Sequence, residues 1–196
     1  LFPYTTLFRS TVGILPADAV SYQRLELIDE RPSLVAVIAR GRLDGRPDVH
    51  VVTRYEARPC EPGIRVRSEL HHDGADPEAF LLSDAFYWGG REATPFVPLP
   101  GQDFVQPELD LLTLGEVIFD VPWFAAQGHA PEAAAYGIIR CDAETAEAFQ
   151  STTVSAFGHE RTIVLPGDGI AYERFIAVAP GPGLSGAVDA CLQARG

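Results

Sequence analysis

Apolar and polar residues alternate along much of the chain, which is the pattern of half-buried β-strands. The segment 64–70 (IRVRSEL) places Ile64, Val66 and Leu70 at even positions and its charged residues at odd positions. A period of two is expected when one face of an antiparallel strand is buried and the other is wet. Alternation, or a short run of apolar and β-branched residues, predicts further strands at 34–43, 50–57, 80–87, 116–119, 134–141, 152–157, 161–165 and 170–178.

Asp-Gly pairs separate several of these segments. They stand at Asp44-Gly45, Asp73-Gly74 and Asp168-Gly169, and Asp-Gly readily adopts the positive φ angles of tight hairpin turns. Many short strands joined by such turns, without the regular helices that separate parallel strands, are typical of an antiparallel sandwich. The sequence therefore predicts an all-β, supersandwich-like β-sandwich.

Helical spacing is confined to two segments. Leu184, Val188, Cys191 and Leu192 recur at i, i+4, i+7 and i+8 on one helical face, which predicts a short C-terminal helix. A second short helix is predicted over 143–149. Residues 89–107 are rich in Pro and Gly and are expected to form a long loop, a kind of segment that often carries function.

The composition is that of a globular chain with a strongly acidic surface. Of the 196 residues, 46% are hydrophobic and 21% are charged, so the chain can fill a core. Acidic residues outnumber basic ones by 27 to 15, which gives a net charge of −12. Such a surface repels phosphate backbones, and no basic stripe offsets it, so we expect no nucleic-acid partner. No apolar run approaches the roughly 20 residues of a membrane-spanning helix, so we expect no membrane span.

Two features concern the origin of the chain. Every basic residue is Arg, and Lys, Met and Asn are absent; because their codons are A-rich, we expect a GC-rich bacterial source. The first ten residues, LFPYTTLFRS, resemble the translation of a common sequencing-adapter oligonucleotide. We therefore interpret residues 1–10 as an artefact, and 11–196 as one sandwich domain, an N-terminally truncated metagenomic fragment of a longer protein.

The three cysteines, Cys60, Cys141 and Cys191, are far apart in sequence. An odd number without C-x-x-C spacing predicts neither a disulfide framework nor a zinc site. We expect each to be buried as a small hydrophobic residue.

Two runs of sequence carry a family resemblance. They are VTRYEARPCEPGIRVRSELHHDGADPEAFLLSDAFYWGG at 52–90 and VLPGDGIAYERFIAVAPGPGLSGAVDA at 164–190. Both resemble bacterial β-supersandwich domains that are similar in fold to galactose mutarotase, and the resemblance extends over roughly residues 34–196. It implies a non-catalytic accessory module in a large exported bacterial protein, next to carboxypeptidase-regulatory-like or PHP-type metallohydrolase domains. A periplasmic or extracellular location would follow.

Mutarotase-type catalysis requires a His acid and a carboxylate base that converge on the sugar. The family's catalytic His has a neighbouring Asn, and this chain has no Asn. His159-Glu160 is the nearest local pairing, but adjacent residues of a strand point to opposite faces. We favour a polar hairpin at this pair instead. His71-His72-Asp73 is interpreted as a solvated turn, because a zinc site would need further ligands. We expect no catalytic residues, no metal and no cofactor.

The most distinctive stretch runs from Asp84 to Arg91. One interpretation is a binding site in which Tyr87 and Trp88 form an aromatic platform for a sugar ring or peptide, with Asp84 and Arg91 as polar anchors. The other interpretation buries the aromatic residues in the core, as is usual in a sandwich. If Asp84 is buried, its carboxylate needs a partner, for which Arg174 is a candidate.

Tyr172 and Arg174 alternate on one face of a predicted strand and are interpreted as a structural hydrogen-bonded pair.

Two functions remain open from the sequence. The first is a non-catalytic accessory or binding module whose partners are neighbouring domains of the same longer chain. The second is a carbohydrate-binding or mutarotase-like carbohydrate-active domain, with a carbohydrate as partner. A dimerising module would need only an exposed strand edge.

Overall fold

The computed structural model describes residues 9–13, 20–87, 93–99, 102–105, 116–130, 133–141, 146–151, 156–165, 170–181 and 183–195. Within these ranges the chain forms fourteen strands and one helix. In chain order the elements are β1 (Arg9–Gly13), β2 (Val20–Arg31), β3 (Leu34–Leu43), β4 (Arg46–Ala57), β5 (Gly63–His72), β6 (Glu78–Tyr87), β7 (Ala93–Leu99), β8 (Gln102–Val105), β9 (Glu116–Val121), β10 (Trp123–Gly128), β11 (Ala135–Arg140), β12 (Ala146–Ser151), β13 (Ala156–Leu165), β14 (Ile170–Ala179) and α1 (Leu184–Arg195).

The strands form two antiparallel sheets. The larger has nine strands in the order β2-β3-β4-β5-β14-β11-β10-β7-β8, and the smaller has five in the order β1-β6-β13-β12-β9. Each strand pair described is antiparallel. The predicted all-β antiparallel sandwich is confirmed.

The inner face of the nine-stranded sheet carries one apolar core. In β5, Val66, Ser68 and Leu70 are buried, as the alternation predicted. Burying a large apolar side chain of this kind stabilises a fold by about 1.5–3 kcal/mol. The buried members of this core are Val66, Val97, Val121, Phe124, Ala126, Ile138 and Ile176.

Helix α1 covers part of the outer face and creates a second core. Phe175 of β14 is buried there with Ala187 and Cys191 of the helix, while the next residue, Ile176, belongs to the first core. Strand β14 therefore supplies apolar side chains to both faces of the sheet. The predicted C-terminal helix is confirmed. No helix in the described ranges has the length and hydrophobicity needed to cross a bilayer.

The β3–β4 connection is the Asp44-Gly45 hairpin that the sequence predicted. Strands β3 and β4 pair directly, and Gly45 has a φ of 77°, a conformation that favours glycine. The Asp168-Gly169 pair lies outside the described residues.

Two secondary-structure predictions are wrong. The segment 143–149 was expected to be a helix, but 146–151 forms β12, paired between β9 and β13. The segment 89–107 was expected to be a loop, but it contains β7 and β8. In both cases pairing with neighbouring strands overrides local propensity.

The cysteines differ in environment. Cys191 is buried as expected, and burial raises the pKa of its thiol to about 12. Cys141 is half-buried. Cys60 is exposed, so the prediction that it is buried is wrong; it lies in a turn with a φ of 67°.

Strand β1 includes Arg9 and Ser10, which pair with Ala85 and Asp84 of β6. The interpretation of residues 1–10 as an artefact stays a prediction.

Candidate functional site

The predicted ligand-binding residues lie at or beyond the end of β6. Asp84 is opposite His159 of β13, and Tyr87 is opposite Ala156. Trp88 and Arg91 lie outside the described residues. The aromatic platform, and the pairing of Asp84 with Arg174, stay predictions.

Arg174 is buried on the inner face of the large sheet, with 2% of its surface exposed. Its Nη1 donates to Ser68 Oγ at 3.1 Å, and Ser68 Oγ lies 3.1 Å from Thr53 Oγ1. Tyr172 is placed by the register opposite Ser68. A buried guanidinium is stable only with polar partners, and Ser68 and Thr53 supply part of that environment. The Tyr172–Arg174 pair itself stays a prediction.

Four ionisable residues form a cluster that joins the two sheets, which we call the intersheet cluster: Arg46, Asp48, His72 and Glu78. Arg46 begins β4 of the large sheet, and Glu78 begins β6 of the small sheet. Arg46 donates to Glu78 at 2.5 and 2.7 Å and to Asp48 at 2.8 and 3.1 Å. His72 Nε2 lies 3.1 Å from Asp48 Oδ2 and 3.5 Å from Glu78 Oε2.

The guanidinium dominates the electrostatics of the intersheet cluster. Its hydrogen bonds hold the pKa of Asp48 and the pKa of Glu78 below their ordinary values. The two carboxylates, Glu78 first, raise the pKa of Arg46 in turn. Both carboxylates therefore remain ionised at neutral pH and bind the guanidinium.

His72 corrects the interpretation of His71-His72-Asp73 as a solvated turn. The His72 side chain is only 7% exposed, and a Cβ at Gly74 would lie 2.5 Å from its Cε1. Asp73 is solvated as predicted, with a side chain that is 65% exposed and lies 2.8 Å from His50 Nε2. The tight hairpin turn predicted at Asp73-Gly74 is wrong, because β5 and β6 belong to different sheets. No local pattern in the sequence predicts the cluster, because its members come from three separate strands.

The intersheet cluster does not have the geometry of a metal site. Among the described residues, no group of three or more His, Cys, Asp or Glu is arranged to hold a metal ion. At this cluster the arginine lies between the carboxylates, in the place where a cation would bind.

A second charged site lies on the outer face of the large sheet, on the side that carries α1. This cleft of about 430 Å³, which we call the outer groove, is lined by Arg54, Glu56, Arg58, Arg65, Arg67 and Glu173. Strands β4, β5 and β14 supply five of these residues. The alternation of β5 predicted that Arg65 and Arg67 are outward, and the structure confirms it.

The strand register arranges the outer groove in two rows. In the first row Arg54 is opposite Arg67, and Arg67 is opposite Glu173. In the second row Glu56 is opposite Arg65, and Arg65 is opposite Phe175. In the second row a carboxylate (Glu56) is opposite a guanidinium (Arg65), so the charges are opposite. In the first row two guanidinium groups, those of Arg54 and Arg67, are side by side.

Arg65 links the groove to the end of α1. Its Nη2 donates to the carbonyl oxygen of Ala194 at 3.0 Å, and its guanidinium lies 5.6 Å from the centre of the Phe175 ring. Glu61 and Glu173 lie 3.5 and 3.9 Å away. A cation at a helix C-terminus satisfies a free carbonyl and the helix dipole, so Arg65 has a structural role.

No protein-family model and no curated protein sequence matches the chain. Solved structures do match. A GH36 alpha-galactosidase from Geobacillus stearothermophilus, in complex with raffinose, is 11% identical with a TM-score of 0.63, over 89% of this chain and 30% of the enzyme. The alpha-galactosidase from Lactobacillus brevis is 8% identical with a TM-score of 0.58, over 89% and 29%.

A galactose mutarotase-like protein from Lactobacillus casei is 12% identical with a TM-score of 0.51, over 88% of this chain and 84% of that protein. The chain thus spans about 30% of the length of the alpha-galactosidases and most of the mutarotase-like protein. At such identities the likeness concerns the fold and not the activity. The chain has a galactose-mutarotase-like β-sandwich fold.

Proposed function

We propose that this chain is a non-catalytic β-sandwich binding module of a larger exported bacterial protein. One observation carries the proposal: a similar sandwich accounts for 89% of this chain but only 30% of a GH36 alpha-galactosidase. The same fold therefore exists as part of a longer enzyme. Export is implied by the family resemblance of the sequence.

The intersheet cluster supports the non-catalytic part of the proposal. A general acid must hold a proton at neutral pH, whereas Arg46 lowers the pKa of both Asp48 and Glu78. The same hydrogen bonds also use the carboxylate oxygens that a general base would need. This arrangement suits a structural connection between sheets better than proton transfer.

The outer groove supports the binding part. Its volume of about 430 Å³ falls within the range of about 300–1,000 Å³ that is usual for small-molecule sites. Guanidinium and carboxylate groups can donate to and accept from sugar hydroxyls. We propose the outer groove as the carbohydrate-binding surface.

A second candidate is a mutarotase-like carbohydrate-active domain. The observation in its favour is that His72 lies within 3.5 Å of two carboxylates. The alternative and the main proposal differ in whether the chain accelerates a reaction.

Polarimetry of freshly dissolved α-galactose, with and without the chain, tests the catalytic alternative. We expect the rate of mutarotation to equal that in buffer, and nitrophenyl α-galactoside to remain intact. The matched control is His72→Gln. An acceleration that this substitution removes would overturn the non-catalytic proposal.

A glycan array tests the binding role and separates the two candidate surfaces. We expect binding by the unmodified chain and by Trp88→Ala, and loss of binding in Glu173→Ala, which removes an acceptor for sugar hydroxyls from the outer groove. The opposite pattern would transfer the site to the predicted Asp84–Arg91 platform. No binding by any form would leave the chain as a spacer between domains.

A further inference from the structure

We propose that Arg54 and Arg67 in the outer groove bind the carboxylate of an acidic sugar, such as a uronic acid unit of a polysaccharide. The inference rests on the proposed carbohydrate-binding role and specifies the chemistry of the ligand.

Arg54 and Arg67 form an unfavourable pair of like charges. Arg54 and Arg67 are directly opposite on neighbouring strands and share one face, so their Cβ atoms lie about 4.5–5.5 Å apart. Like charges in this position destabilise a sheet. An anion between the two guanidinium groups would turn that repulsion into attraction.

Each of the two guanidinium groups keeps hydrogen-bond donors that are available to a ligand. Arg54 donates through Nε to Glu56 at 2.5 Å, and Arg67 donates through Nε to Glu69 at 3.1 Å. Within the part of the chain that the structure describes, these are the hydrogen bonds of the two guanidinium groups, so their terminal nitrogens are not engaged. The side chains are 39% and 50% exposed and can be reached by a ligand.

The geometry of these donors matches a carboxylate. The planar fork of Arg binds carboxylates through two parallel hydrogen bonds, and such charge-assisted bonds are about twice as strong as neutral ones. Holding each guanidinium by Nε to a carboxylate two residues along its own strand restricts its rotation. The pair is therefore partly organised before a ligand arrives.

The remaining lining indicates a sugar acid rather than a phosphate or sulfate. Glu56 and Glu173 line the same groove and would repel a dianion more strongly than a monoanion. Their oxygens can accept hydrogen bonds from hydroxyl groups. A uronic acid offers one carboxylate and several hydroxyls, which fits two available arginines beside two carboxylates.

Isothermal titration calorimetry of the full chain with trigalacturonate, galactotriose and sodium sulfate tests the inference. We expect trigalacturonate to bind at least tenfold more tightly than galactotriose, and sulfate to compete only weakly. Arg67→Gln should weaken trigalacturonate at least tenfold while leaving galactotriose within twofold. Arg67→Lys, which keeps the charge but not the fork, should recover only part of the loss.

Arg24→Gln is the matched control, because Arg24 also pairs with a glutamate two residues along its strand, Glu26, but lies on the edge strand β2. It should bind like the unmodified chain. Arg54→Gln gives an independent variant if Arg67→Gln does not fold.

The outcomes separate this inference from the proposed function. Equal affinity for trigalacturonate and galactotriose would overturn the acidic-sugar inference while supporting carbohydrate binding. Sulfate that competes as well as trigalacturonate would also overturn it, since the site would then be a general anion site. Absence of binding to both sugars would contradict the carbohydrate role itself.

Discussion

The outer face of the large sheet is divided into a half that α1 covers and a half that is open to solvent. Under the helix, Phe175 and Ala177 are almost completely buried. Beside the helix, Arg54 and Arg67 are 39% and 50% exposed. Arg65 contacts both halves, through the Phe175 ring on one side and Glu173 on the other.

The change from the covered half to the open half takes place between two neighbouring side chains on the same face of β14. On β14, Phe175 lies in the covered half, and Glu173, two residues earlier on the same face, lines the outer groove. Apolar burial contributes about 25 cal/mol per Å², whereas exposed ion pairs contribute about 0–1 kcal/mol each. The covered half therefore supplies stability, and the open half can vary with little cost to the fold.

The largest effect is expected from removing the central side chain of the covered half. Phe175→Ala should lower the free energy of unfolding by about 3–5 kcal/mol, because it leaves a cavity under α1. Leu192→Ala, at a helix residue that is 41% exposed, should cost less than about 1 kcal/mol. Urea denaturation measures both. Similar losses would show that α1 does not pack as described.

Adding a methyl group under α1 should also lower the free energy of unfolding. A Cβ at Gly137 would lie 3.0 Å from Cys191 Sγ and 3.1 Å from the Ala187 carbonyl oxygen, so Gly137→Ala should cost about 1–3 kcal/mol. Gly186, on α1, has only Ala179 Cβ at 3.8 Å. There Gly186→Ala should stabilise by about 0.5–1 kcal/mol through helix propensity. Thermal melts that shift in the same direction would contradict this contrast.

Substitution of Arg65 tests the boundary between the covered half and the open half. Arg65→Gln removes the hydrogen bond to the Ala194 carbonyl and the contact with the Phe175 ring, and should cost about 1–2 kcal/mol. Arg58→Gln is the matched change in the open half, where its bond to Glu56 is 3.3 Å long and exposed. It should stay within about 0.5 kcal/mol of the unmodified chain. Chemical denaturation compares the two, and equal losses would refute a special role for Arg65.

The smallest effect is expected from the two opposed arginines. Without ligand, Arg54→Gln and Arg67→Gln should each change stability by less than about 0.5 kcal/mol. A double-mutant cycle should give a repulsive coupling of about 0.2–1 kcal/mol. A favourable coupling would contradict the opposed placement of the two guanidinium groups.

The period-two pattern allowed the β-sandwich to be predicted, and β3 was predicted at its observed bounds. It failed where local composition favours another structure. Residues 146–151 (AEAFQS) include the good helix formers Ala, Glu and Gln, but β9 and β13 pair with them on both sides. In β7, Pro95 and Pro98 suggested a loop, yet the strand pairs with β10 and β8.

The sites were harder to predict because they depend on register and crossing points. The sequence shows that Arg67 is outward, but only the β4–β5 register places it opposite Arg54. The intersheet cluster likewise requires the start of β6 to come close to the start of β4. A local sequence pattern does not predict the register between strands or the distance between residues of different sheets.

The position of β14 has a consequence for biosynthesis. In the large sheet β14 lies between β5 and β11, although about a hundred residues separate it from β5 along the chain. While the ribosome is still making the preceding residues, β5 has an unpaired edge, and such edges recruit other chains. Synthesis that stops before residue 170 should therefore give aggregates rather than a smaller folded domain. Strand β14 joins the two parts of the large sheet, and the edge of β5 is no longer exposed once it has paired.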